Sequence, residues 1–81
     1  MAKELIVSDD FLTGLDELTP DLKERALEKI QLLAENPAHP SLNAHKIKKV
    51  DGKWECYINM AYRIIYEPLA NVIRLWKIGD H

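Results

Sequence analysis

Eighty-one residues, 47% hydrophobic and 30% charged with a net charge of −2, suit one small globular domain with no room for a second core. The single cysteine, Cys56, excludes a disulfide framework and suits a reducing cytosol. The longest apolar stretch, Tyr57 to Tyr66, is broken by Asn59 and Arg63 and is too short to span a bilayer, so no membrane partner is expected. MAKELIV lacks the long apolar run of a secretory signal, and a cytoplasmic location is expected. The mild negative charge hides an asymmetry. Residues 1–40 hold four Lys/Arg against nine Asp/Glu, whereas residues 41–81 hold seven against four. A local positive surface is compatible with such a layout, and so are ordinary solvated faces on both halves.

Lys3 to Val7 reads as a short extended segment, with Leu5, Ile6 and Val7 supplying β propensity. Ser8 then reads as an N-cap, followed by Asp9 and Asp10 where they favour a helix dipole. Phe11, Leu15 and Leu18, with Leu12 widening the stripe, mark one apolar helical face. Gly14 weakens that helix by about 1 kcal/mol relative to alanine. Thr19-Pro20 starts a second helix, Thr19 as cap and Pro20 in the first turn. Its stripe is Leu22, Ala26, Ile30 and Leu33, with Leu27 and Ala34 alongside, and Asn36-Pro37 ends it. The two helices are expected to form a tight hairpin, followed by a stiff loop from Asn36 to Ser41.

The remainder reads as β structure. Leu42 to Val50 is one strand, Asp51-Gly52 a two-residue hairpin turn, and Lys53–Asn59, Ala61–Glu67 and Asn71–Ile78 follow. Alternation puts Tyr62, Ile64 and Tyr66 on one face and Arg63 and Ile65 on the other; Ile73 and Leu75 likewise oppose Arg74 and Trp76. The expected fold is α+β: a helical hairpin covering one face of an antiparallel sheet of about four strands, with the cations on the uncovered face.

Arg63 carries the most chemical meaning on such a face. Its planar, permanently charged fork fits phosphate oxygens two at a time, although a solvated arginine covering apolar surface with its stem fits the same pattern. His45 and His81 are the candidate acid–base groups, each equally readable as a surface histidine; His39, between two prolines, reads as loop. Cleavage at an RNA 2′-OH needs a base, an acid and a cation on the phosphate, and His45, His81 and Arg63 can fill those roles without metal or other cofactor. Lys46, Lys48, Lys49 and Lys53 add positive charge at the entrance to the sheet. Tyr57 and Trp76 can stack unpaired bases or simply pack. Trp54 reads as packing and Cys56 as a small core residue. No P-loop, dinucleotide fingerprint or zinc signature is present.

A short strand, a helical hairpin, then a meander containing Tyr62-Arg63-Ile64-Ile65-Tyr66 and ending Ile78-Gly79-Asp80-His81 resembles the RelE/ParE superfamily of bacterial toxins over nearly the whole chain. The resemblance implies a single toxin domain over residues 1–81 and a cognate antitoxin partner. It implies one of two activities: ribosome-dependent mRNA cleavage that inhibits translation, or a non-catalytic binding role such as gyrase inhibition. By position, Arg63 resembles the phosphate-contacting arginine of the family. His81 stands where ribonuclease members carry a histidine or arginine, and His45 resembles a histidine of the YafQ-like branch. Tyr57 and Ala61 depart from that branch, which has a histidine and an aspartate there. Lys46, Lys48, Lys49, Tyr57, Arg74 and Trp76 are the expected RNA contacts. Family chains run several residues past the Gly-x-His element, which leaves open a C-terminus truncated here. The oligomeric state is not legible.

Overall fold

The computed structural model describes residues 2–80, so His81 lies outside the described residues. The elements are β1 (Glu4–Val7), α1 (Asp9–Asp16), α2 (Pro20–Glu35), β2 (His45–Lys46), β3 (Trp54–Tyr57), β4 (Tyr62–Pro68) and β5 (Val72–Asp80), with a single 3₁₀ turn at Pro40–Leu42. They build the expected α+β architecture around a five-stranded sheet ordered β1-β5-β4-β3-β2. The β2–β5 run is antiparallel throughout, while β1 joins the far edge parallel to β5. The parallel pairing adds a fifth strand to the four expected. It follows from the path of the chain, which leaves β1, crosses the sheet as two helices and returns along the meander.

One core holds the layers together. Phe11 of α1 and Ala26 and Leu33 of α2 pack with Cys56, Ile64, Tyr66, Ile73 and Leu75 of the sheet. These are the residues that alternation assigns to the covered face, and both helices lie on it. Leu12 and Leu27 do not join them: each remains about half exposed, so the buried stripes are narrower than their periodicity implies. Ser8 caps α1 by accepting from the Phe11 amide at 3.0 Å, and its hydroxyl donates to the Trp76 carbonyl. Thr19 occupies the cap position of α2 without a side-chain bond to it. Gly14 allows α1 to lie close on β5; a Cβ there would meet the Ile78 carbonyl oxygen at 3.2 Å.

The Leu42–Val50 strand is largely absent. Pro40 starts a 3₁₀ turn, His39 Nδ1 accepts from the Ser41 amide at 3.1 Å, and Asn43 leaves it in the left-handed region at φ 49°. These local bonds compete with the ladder, and only His45 and Lys46 pair with β3. Asp51-Gly52 likewise is not a two-residue hairpin. Two successive turns, Ile47 to Val50 and Val50 to Lys53, are closed by the Ile47 amide donating to the Lys53 carbonyl at 3.0 Å. Gly52 supplies the positive φ, 74°, that the second turn requires.

Candidate functional site

The uncovered face takes its register from the β3–β4 turn. Asn59 Oδ1 accepts from the amides of Ala61 and Tyr62, both at 2.8 Å, and the turn sets Tyr57 opposite Arg63 and Glu55 opposite Ile65. β2 adds His45 opposite Glu55. Four polar side chains from three strands thereby meet on one face. Glu55 is their centre: its side chain is only 7% exposed, and three donors converge on its carboxylate. Arg63 Nη1 donates to Oε2 at 2.9 Å, the Tyr57 hydroxyl to Oε1 at 3.1 Å, and His45 Nε2 lies 3.1 Å from Oε1.

His45 Nδ1 lies 3.1 Å from the Asn43 carbonyl oxygen, so both ring nitrogens face acceptors. Making both hydrogen bonds at once takes the doubly protonated ring. The ring also lies beside Tyr57, centroids 5.7 Å apart. Desolvation, then the hydrogen bond to Glu55 and that carboxylate's charge, raise the Tyr57 phenol above its ordinary value, and Arg63 pulls it back. The phenol is therefore a proton donor at neutral pH. Arg63 is 30% exposed, and its Nε is buried with no partner among the described residues. Gly79 stands opposite Arg63 on β5, and among the described residues beyond its chain neighbours no atom lies within 4 Å of where its Cβ would be.

A second group lies along the same face. Tyr66 pairs with Leu75 and Ile65 with Lys77, so Trp76 is the extra residue of a β-bulge. Core-facing Leu75 and Ile78 are therefore separated by two residues, Trp76 and Lys77, both exposed. Lys53 Nζ and Lys77 Nζ lie 5.4 and 5.2 Å from the centroid of the Trp76 ring, within cation–π range. Lys53 and Arg74 both reach Glu67, at 3.5 Å each. Between them the two groups carry Lys53, Arg63, Arg74 and Lys77 against Glu55 and Glu67, four fixed cations to two carboxylates, a local positive excess on a chain that is net negative.

The sequence-predicted residues divide accordingly. The structure brings His45, Tyr57 and Arg63 together and places Arg74 and Trp76 on the same face. Lys46 pairs with Trp54, whose side chain packs toward the core, so it belongs to the side opposite His45; Lys48 and Lys49 lie in the following loop. Sequence reading missed Glu55 and Lys77. Glu55 was recoverable: once WECY is paired with YRII across the Asn59 turn, alternation sets its carboxylate diagonal to Arg63. Lys77 was not, because the bulge that turns it outward breaks the alternation. Among the described residues no three His, Cys, Asp or Glu side chains gather as a metal-ligand set, and no helix is long and apolar enough to cross a membrane.

No protein-family model matches the chain, and no curated protein matches it significantly by sequence. Solved structures do match its fold. A chain of the archaeal RelE–RelB complex from Pyrococcus horikoshii superimposes with a TM-score of 0.82 at 19% identity, covering 99% of this chain and 96% of that one. A chain of the E. coli DinJ–YafQ toxin–antitoxin complex gives 0.82 at 14% identity, with 100% and 94% covered. The Staphylococcus aureus YoeB dimer gives 0.82 at 16%, with 100% and 99% covered. The chain has the fold of the RelE, YafQ and YoeB toxins over its whole described length.

Proposed function

We propose that this chain is the toxin of a toxin–antitoxin pair and an endoribonuclease acting on ribosome-bound mRNA in the cytoplasm. The observation that carries the reading is the convergence of Arg63, His45 and Tyr57 on the uncovered, positively charged face of a RelE-like sheet. Two of the structural neighbours come from complexes with antitoxins, which supports a small antitoxin as the partner that masks this face.

The reaction we assign is attack of a ribose 2′-oxygen on the adjacent phosphorus with loss of the 5′-oxygen. The new P–O bond leaves a 2′,3′-cyclic phosphate and the broken one a 5′-hydroxyl. A base removes the 2′-OH proton, an acid protonates the leaving oxygen, and a cation stabilises charge gathering on the phosphate. Arg63 is the cation, its partly exposed guanidinium set among donors on the uncovered face. His81 is assigned as the acid. His45 is assigned to the 2′-OH, where a base must be the neutral imidazole with a nitrogen free of Glu55. Trp76, flanked by Lys53 and Lys77, offers a stacking surface for a neighbouring base, with Arg74 beside it for a phosphate.

Translating ribosomes given the protein should show mRNA cut in the A site, leaving cyclic or 3′-phosphate ends. Arg63→Ala is expected to lower the rate by roughly 10²–10³ and His81→Ala by about 10²–10⁴, with a smaller loss for His45→Ala. Cleavage that survives both of the first two substitutions would remove this site assignment. No cleavage together with inhibited DNA supercoiling would instead favour a gyrase-directed, non-catalytic module, a reading that Tyr57 and Ala61 keep in view.

A further inference from the structure

We infer that Glu55 is a built-in counter-anion of the RNA site, occupying in the free protein the donors that a phosphodiester takes over on binding. The inference rests on the proposal that this face accepts RNA. The three side chains best suited to a phosphate, a guanidinium, an imidazole and a phenol, are all aimed at one carboxylate. That carboxylate is almost completely buried, while His45 is 52% and Arg63 30% exposed, so the donors lie over Glu55 and point down to it. A polynucleotide arriving from solvent meets them from the other side.

A neutral glutamine would fill the same volume and still accept hydrogen bonds. What it would lack is the charge, and a fixed negative charge under a phosphate site weakens phosphate binding. The charge does have a consequence in the free protein. The carboxylate pairs Arg63 at 2.9 Å, lies 3.1 Å from His45 Nε2 and accepts from the Tyr57 hydroxyl. Arg63 bonds to Glu55 through Nη1, and its buried Nε has no partner among the described residues, so the guanidinium is not held as a two-nitrogen fork on the carboxylate. Substrate entry is then an exchange. Arg63 and His45 shift from the internal carboxylate to phosphate oxygens, and the binding cost of breaking the internal pairs sets the affinity of the site.

The test uses a short RNA oligonucleotide that is 2′-O-methylated throughout, so that binding is read without cleavage. Glu55→Gln should bind it roughly tenfold more tightly than the wild type, the scale of one charge-assisted hydrogen bond. The salt dependence should steepen by about 0.7 in log–log slope, one additional phosphate contact. In an Arg63→Ala background the same change should give clearly less tightening, since only His45 then remains to be released. Glu67→Gln, which removes the other carboxylate of this face, controls for charge alone and should tighten binding less. If Glu55→Gln does not fold, as judged by near-UV dichroism, Glu55→Asp takes its place, because its shorter reach to Arg63 should also tighten binding. Equal or weaker binding by the folded variant overturns the inference. So does tightening that Glu67→Gln matches or that is undiminished without Arg63, and so does absence of binding by every variant. Intact binding differences with no cleavage by any protein would remove the nuclease reading and leave this one standing; cleavage with binding indifferent to Glu55 would do the reverse.

Discussion

Cys56 lies in the core beside Glu55, and its chemistry follows from burial. Desolvation raises the thiol from 9.0 to about 12; Lys29 pulls it down and Glu55 pushes it further up. Burial also raises Tyr66, in the same core. Both are acids held neutral in the folded chain, so between pH 9 and about 12 the native state retains a thiol proton that the unfolded state has lost. Stability is therefore complete below pH 9 and falls as pH rises through that window, by up to about 1.4 kcal/mol per pH unit for the thiol. Denaturant unfolding at neutral pH and near pH 10.5 should show the loss, and Cys56→Ala should lower stability at neutral pH while flattening the alkaline slope. A wild-type midpoint that stays constant across the window would contradict this account. The same burial predicts a thiol that alkylating reagents reach only on unfolding.

The β3–β4 turn is the element on which the site depends. Asn59 substitutes its side-chain oxygen for a backbone acceptor to two successive amides, and the Tyr57–Arg63 pairing follows directly from that turn. Asn59→Ala should cost about 1–3 kcal/mol for the two bonds. Its effect on RNA cleavage at a permissive temperature should exceed the change in folded fraction, because Arg63 and Tyr57 lose their fixed register. An activity loss no larger than the loss of folded protein would mean that the register survives without Asn59. The legibility of the chain also divides by element. Helix boundaries at Ser8, Pro20 and Asn36 and the covered face of β4 and β5 were readable, because caps and alternation act over a few residues. The short β2 was not, since Pro40 and Asn43 form local bonds whose strength against a ladder depends on the partner strand. The parallel seat of β1 was not either, because nothing in Lys3–Val7 specifies which edge it joins.

At the scale of the whole molecule, the acidic half of the sequence forms β1 and the helical layer, and the basic half supplies the other four strands. The chain spans 32 × 30 × 26 Å, whereas charges in physiological salt are screened beyond about 8 Å. An anionic partner at the uncovered face therefore senses Lys53, Arg63, Arg74 and Lys77, not the net charge. Two double variants separate local from total charge. Lys53→Ala with Lys77→Ala removes the two ammonium groups flanking Trp76 and makes the chain still more acidic. Glu24→Lys with Glu28→Lys, at exposed positions of α2, takes the net charge from −2 to +2 without touching the sheet. The first pair should weaken single-stranded RNA binding and lower the log–log salt slope by about 1.4, two phosphate contacts. The second should change affinity at 0.15 M salt by less than about twofold. Fluorescence anisotropy across a salt series decides between them. A gain from the α2 pair as large as the loss from the lysine pair would place control in the total charge and remove the sheet face as the locus of binding.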